Sequence, residues 1–276
     1  MHLCNSIAKV NEKNKKYLFF PNFFLILHIL TKKDVSQRHN ENSHPSQYTV
    51  FHCFQKQTMT KILYNKFNKK LISKLPKVEF GGKIIVIVSP DEAKRAVDVL
   101  LRHPLLGIDT ETRPSFKRGH QNMVSLLQVS TEDICFLFRL NLTGMTPDVI
   151  RLLEDTSVPK IGLSLHDDIL SLHKRAPFSP GNLIDLQHHM RELGIEDLSL
   201  QKLYANLFRQ KINKSQQLSN WEADTLTDRQ KLYAATDAWA CIMLYNEYCR
   251  LLKTGDYELL IEEEPVASTV DEKQNS

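Results

Sequence analysis

The stretch Leu105-Leu106-Gly107-Ile108-Asp109-Thr110-Glu111 decides how this chain is read. Two leucines and a glycine lead into a β-branched residue, then into two carboxylates two positions apart. Side chains on a strand alternate between faces, so Asp109 and Glu111 point the same way. Two carboxylates on one face repel each other unless a cation lies between them. The triplet alone is weak, because a chain with 32 acidic residues should show about one Asp-x-Glu by chance. Its place behind an apolar lead gives it weight.

The text on either side supplies a sheet. Val124–Ser130 and Ile134–Phe138 read as the next two strands of a meander, with Thr131-Glu132-Asp133 as the turn. Upstream, Lys83–Val88 is a β-branched strand. Ser89-Pro90 then starts a helix with Ala93, Ala96, Val97 and Leu100 at helical spacing. Downstream, a helix around Asp148–Glu154 leads to a buried strand at Lys160–Leu163, a helix at about His166–Lys174 and a short strand at Leu183–Leu186. Helical patterns follow at Leu198–Phe208 and Asp228–Leu252. No internal repeat is present. Sheet segments followed by alternating helix and strand indicate an α/β fold with mixed strand directions.

Composition bounds the rest. The 276 residues, 42% hydrophobic, suffice for one full α/β domain and not for two large ones. Cys4, Cys53, Cys135, Cys241 and Cys249 form no C-x-x-C pair. Such spacing fits free thiols in a reducing, cytoplasmic compartment rather than a disulfide framework or a zinc site. Met1–Thr58 holds eight Lys/Arg against three Asp/Glu, and Asp256–Ser276 holds one Lys against seven acids. Between them the chain carries a net charge of +5, which suits a polyanionic partner. The apolar run Tyr17–Leu30 is short for a membrane span and carries Pro21, Asn22 and His28. Thr31, Lys32, Lys33 and Asp34 follow it in place of a small-residue cleavage site, so neither an anchor nor a signal peptide is expected. The expected organisation is a basic extension over 1–58, disordered through Lys32–Tyr48, a core domain over 78–254 and an acidic tail over 256–276.

Two later segments add carboxylates. In Gly162-Leu163-Ser164-Leu165-His166-Asp167-Asp168, Asp168 lies just past a buried strand at the start of a helix. The competing reading is an N-cap or first-turn acid, and Asp167 competes for either role. In Tyr233-Ala234-Ala235-Thr236-Asp237, the tyrosine and the aspartate are four apart on a long helix and share a face. Thr227 and Gln230 have capping-box spacing. Leu232, Ala235, Trp239 and Ile242 form a separate core stripe. The competing reading there is an exposed aspartate beside a half-buried tyrosine.

Taken together, a strand Asp-x-Glu, an aspartate some sixty residues on and Tyr-x-x-x-Asp on the last long helix resemble the tyrosine branch of the DEDD exonuclease superfamily. The resemblance runs from about Val78 to Leu252 and is nearest the Werner-type and bacterial 3′–5′ exonuclease domains. The flanking text shares it: Val124-Ser125-Leu126-Leu127-Gln128, Cys135-Phe136-Leu137-Phe138, Leu198-Ser199-Leu200, Ser219-Asn220-Trp221 and Gln230–Ala238. It implies a ribonuclease H-like fold with a mixed five-stranded sheet flanked by helices. It also implies that Asp109, Glu111, Asp168 and Asp237 hold two divalent ions, Mg²⁺ or Mn²⁺ as hard oxygen ligands prefer. Asp109, Glu111 and Asp237 would hold the ion that activates water, and Asp109 with Asp168 the ion at the leaving 3′ oxygen. Tyr233 would orient the water, and the product would be a nucleoside 5′-monophosphate. Asp168 takes the second-motif role because it stands six residues after Gly162, as in the family pattern. Ser164 departs from that pattern, standing where many relatives carry a glycine.

The expected substrate is the 3′ end of DNA or RNA, with no membrane and no obligate protein partner. Arg113, Lys117 and Arg118 near the first motif, and Lys202, Arg209, Lys211 and Lys214 later, are candidate phosphate contacts, with solvated surface charge as the competing reading. His188-His189 reads as structural or exposed. Two alternatives remain: a ribonuclease D-like RNA-trimming enzyme, and a non-catalytic nucleic-acid-binding module on the same fold. The first usually carries extra helical domains, whereas about two dozen residues follow Leu252. Against the second, all five positions are intact. The family-like text begins after Met59, so Met59 is expected to serve as the start of the functional chain.

Overall fold

A computed structural model describes residues 60–117, 119 and 121–261. The readings made for 1–58, for Arg118 and for the tail beyond Ile261 lie outside the described residues, as do Cys4 and Cys53. In chain order the elements are β1 (Lys61–Tyr64), α1 (Lys69–Ile72), β2 (Lys83–Ile87), α2 (Pro90–Leu100), β3 (Leu106–Thr112), β4 (Val124–Ser130), β5 (Ile134–Phe138), α3 (Leu140–Thr143), α4 (Pro147–Glu154), β6 (Lys160–Gly162), α5 (Leu165–His173), β7 (Leu183–Asp185), α6 (Leu186–Glu192), α7 (Leu200–Phe208), α8 (Asp228–Thr254) and β8 (Tyr257–Leu260).

The main sheet has the order β2-β5-β4-β3-β6-β7. Strand β4 runs antiparallel to β3 and β5, and the remaining pairs are parallel. Six strands replace the five that the resemblance implies. At one edge the three residues of β7 pair with Lys160–Gly162, and at the other β2 runs parallel to β5 outside the β3-β4-β5 meander. A separate parallel ribbon joins β1 to β8. Neither strand of that ribbon was legible, each being only four residues long.

Local chemistry explains the element ends. Ser89 caps α2 through a full capping box with Glu92, and Pro90 occupies its first turn. Thr227 and Gln230 form the same box at the start of α8. That helix ends at Gly255, whose φ of 65° suits a residue without a Cβ. Strand β4 is buried at every position, because it lies inside the sheet and both its faces are covered. On one face Ile108, Leu127 and Val129 pack with Ala93, Val97 and Leu153 from α2 and α4. On the other, Leu126 and Leu137 pack with Ala234 and Ala235 of α8.

One contact sets how closely α8 lies on the sheet. A Cβ at Gly107 would stand 2.0 Å from the carbonyl oxygen of Ala238. Only glycine lets the helix backbone touch β3 here. Gly107→Ala must therefore push helix and strand apart, and it should cost about 1–3 kcal/mol of stability, as overpacking does. Chemical denaturation measures this, and a variant as stable as the parent chain would contradict the close approach.

Candidate active site

Strand β3 projects Asp109 and Glu111 toward α8, and α8 projects Asp237 back toward them. One carboxylate oxygen from each lies within 4.8 Å of the other two. Glu111 and Asp237 are only 9% and 7% exposed, and Asp109 is half-buried. The competing reading of Asp237 as a surface residue is thereby overturned. Within the stripe expected for α8, Ala235 and Ile242 are fully buried, whereas Leu232 and Trp239 are half-buried.

The electrostatics follow from that crowding. Burial, then Asp168 and Asp237, hold the Asp109 carboxyl well above the ordinary carboxylate range. Burial and the same neighbouring acids push Glu111 up to about 10. Burial raises Asp237 to about 7, opposed by a hydrogen bond from the Tyr233 hydroxyl and by the charge of Lys214. One oxygen of Asp237, Oδ1, is buried without a hydrogen-bond partner among the described residues. Groups like these resist ionisation until something positive arrives.

Asp168 enters from α5 and stands outside the close triad. Its Oδ1 accepts a hydrogen bond of 2.5 Å from the Thr110 hydroxyl, and it lies near enough to Asp109 to raise that residue's pKa. Burial lifts Asp168 itself to about 6, against the lowering effect of Thr110. Asp167 is exposed, so the structure brings Asp168 and not Asp167 toward the cluster. Asp185, a residue the sequence did not single out, fixes this helix start. Its carboxylate accepts the backbone N–H of Ser164 and of Leu165, at 3.1 and 2.9 Å. Ser164 has a φ of 63°, the left-handed region that favours glycine.

Tyr233 is half-buried against Trp221, with ring centroids 6.0 Å apart. Burial, then Asp237 and Glu111, raise its phenol further above the ordinary value, so it stays protonated and can donate a hydrogen bond. The loop carrying Trp221 is anchored by Arg139, whose buried guanidinium donates to the Ala223 carbonyl at 2.5 Å. Gln128 also went unnoticed as a site residue. It is fully buried in β4 directly opposite Asp109, and neither atom of its amide has a partner among the described residues.

The candidate phosphate contacts divide. Arg113 pairs with Glu222 at 3.2 Å and Lys202 with Asp197 at 2.7 Å. Arg209 donates to the carbonyls of Asn206 and Ile62, and Lys211 to that of Ser73. Those four are tied into the fold. Lys117 and Lys214 are exposed, and Lys214 acts on Asp237. His189 stacks on Tyr248 at 4.8 Å and His188 is exposed, in line with their reading as structural or exposed residues. Cys135 and Cys241 are buried free thiols. No helix among the described residues is long and apolar enough to cross a membrane.

The sheet order, the helix laid across β3 and the carboxylates at their crossing define a ribonuclease H-like exonuclease fold. A family model described as 3′-5′ exonuclease matches residues 84–253, and the chain belongs to that family. The Bifunctional 3'-5' exonuclease/ATP-dependent helicase WRN of Mus musculus is 29% identical over 191 residues, covering 66% of this chain and 14% of that protein. Exonuclease 3'-5' domain-containing protein 2 of Drosophila melanogaster is 34% identical over 139 residues, 49% of this chain and 24% of that one. The chain thus matches under a quarter of the length of either relative. Among solved structures, the Aedes aegypti Nibbler EXO domain has a TM-score of 0.57 at 22% identity, covering 63% of this chain and 91% of its own. Escherichia coli RNase D has a TM-score of 0.53 at 20% identity, covering 65% and 52%. These two share the fold.

The carboxylates make stability depend on pH with a definite sign. Asp109 has a folded pKa raised above the unfolded value near 3.9. Its cost to the fold is absent below that value and grows as pH rises toward the folded one. In chelator, Asp109→Asn should therefore raise the melting temperature at pH 8 by roughly 3–6 °C, and by less at pH 5. Melting curves at the two values check this, and a variant less stable than the parent at pH 8 would contradict it.

Proposed function

We propose that this chain is a divalent-cation-dependent 3′–5′ exonuclease releasing nucleoside 5′-monophosphates from nucleic-acid 3′ ends. The observation that carries the reading is the buried triad of Asp109, Glu111 and Asp237, with Asp237 Oδ1 unpartnered. An all-oxygen donor set fits Mg²⁺ or Mn²⁺ better than zinc. Asp109, Glu111 and Asp237 would hold one ion, and Asp109 with Asp168 a second. When bound, the ions supply an activated water and neutralise charge on the leaving oxygen.

The chain's own groups do the remaining work. Asp109 and Glu111, whose carboxyls are raised furthest, would have to give up their protons on loading, so proton release would accompany it. Thr110 fixes the rotamer of Asp168, and Asp185 fixes the helix that carries it. Tyr233 keeps its proton and orients the attacking water through its hydroxyl. A phenol held this far above neutrality cannot serve as the base. Lys214, exposed and acting on Asp237, is the candidate for meeting the substrate phosphates. We place the active domain within 78–254, between the basic extension and the acidic tail. The buried free thiols Cys135 and Cys241 suit a reducing, cytoplasmic compartment. Matched DNA and RNA strands decide between a DNA-trimming enzyme and the second reading, ribonuclease D-like RNA trimming.

Two substitutions test the chemistry. Asp109→Ala should abolish digestion of a 3′-labelled strand in Mg²⁺ or Mn²⁺ while leaving the protein folded. Near-parental turnover by that folded variant would overturn the metal-dependent reading. Tyr233→Phe keeps the ring and its packing on Trp221 but loses the hydroxyl. Its kcat, measured in single turnover at saturating metal, should fall on the order of 10²–10⁴-fold with substrate affinity unchanged. A loss smaller than about threefold would assign Tyr233 to packing alone.

A further inference from the structure

Gln128 is a costly residue for its place. It sits in the middle of β4, fully buried, opposite Asp109 on β3 and Leu137 on β5. Residues directly opposite in an antiparallel ladder share a face, with Cβ atoms about 4.5–5.5 Å apart. Its amide therefore lies on the α8 side of the sheet, next to the carboxylate at the centre of the acidic cluster. Its neighbours on that face are Leu126, Leu137, Ala234 and Ala235, which make an apolar cluster. A leucine or methionine would suit such company. Instead the chain buries an amide whose Nε2 and Oε1 have no partner among the described residues. Buried polar groups without partners are rare in native folds and call for an explanation in the site they face.

We propose that Gln128 is a positioning residue for Asp109, its Nε2 donating to the carboxylate when that group is ionised and holding a cation. This rests on the metal-dependent reading above and adds a residue to it. An amide is suited to the task because it carries no charge. A lysine or arginine in its place would neutralise Asp109 and compete with the cation. A leucine would leave the carboxylate free to rotate about χ1 and χ2. A neutral donor satisfies one lone pair of Asp109 and leaves the others for the ions. Hydrogen-bond partners of ligating carboxylates orient them in this way, and losing such partners typically weakens metal affinity or activity about 10–100-fold. Thr110 makes the corresponding contact to Asp168 from the neighbouring position on β3.

The test is Gln128→Met, nearly isosteric and apolar, with Gln128→Leu as a second variant. Removing two unpartnered polar atoms from an apolar cluster should leave the melting temperature in chelator unchanged or higher. The Mn²⁺ concentration giving half-maximal digestion should rise on the order of 10-fold, and kcat at saturating Mn²⁺ should fall on the order of 10-fold or more. KM for the strand should not move. Mn²⁺ binding to the folded variant, followed by electron paramagnetic resonance without substrate, should weaken in step. Parental Mn²⁺ affinity and kcat in a folded Gln128→Met protein would overturn the proposal. So would loss of the fold in both variants, because the amide would then be holding the core. Asp109→Ala, run alongside, separates the two levels. If it is inactive while Gln128→Met behaves like the parent, only the role of Gln128 fails. If Asp109→Ala is active, the cation site fails and Gln128 with it.

Discussion

Helix α8 reaches the sheet because residue 107 has no side chain. At that crossing the Ala238 carbonyl oxygen would lie 2.0 Å from a Cβ placed on residue 107. Everything at the acidic cluster depends on this approach. Asp109 and Glu111 follow Gly107 by two and four residues, on the same face of β3. Asp237 immediately precedes Ala238 on the helix. The contact that lets the backbones meet therefore also brings the three carboxylates together. A helix held farther out would leave Asp237 in solvent and Glu111 without its neighbours.

The same approach makes the cluster expensive. Desolvation is the first cause of the raised pKa at all four acids, with like charge adding to it at Asp109 and Glu111. A fold selected for stability alone would place apolar residues there, as it does along the rest of the α8 face. The cation-binding reading explains why it does not. It also explains the supporting groups: Thr110 on Asp168, Asp185 on the start of α5, the Tyr233 hydroxyl on Asp237 and Arg139 on the loop that carries Trp221. Each holds a side chain or a segment that the cluster needs in one orientation.

Much of this was legible in the residues. The strands Val124–Ser130 and Ile134–Phe138 have the boundaries read from their apolar runs, and Thr227 with Gln230 caps α8 as the spacing indicated. The triad acids were legible because strand and helix periodicities fix which side chains share a face. Their convergence was legible only through the family resemblance, since periodicity says nothing about the packing of α8 against β3 across more than a hundred residues. The β1–β8 ribbon was invisible because its pairing joins the two ends of the described chain and each strand is four residues long. Basic residues misled for a related reason. Arg209 and Lys211 look like surface cations in the text, but carbonyls distant in sequence claim both side chains. Gln128 carried a signal in its setting, a polar residue inside an otherwise apolar strand, yet only the register placed it opposite Asp109.

The central claim is that these carboxylates are held together for divalent cations. Crystals of the protein soaked in millimolar Mn²⁺, with anomalous scattering recorded at the manganese edge, test it directly. The account predicts a manganese peak among Asp109, Glu111 and Asp237, with metal–oxygen distances of roughly 2.0–2.2 Å. A map with no peak there would contradict it.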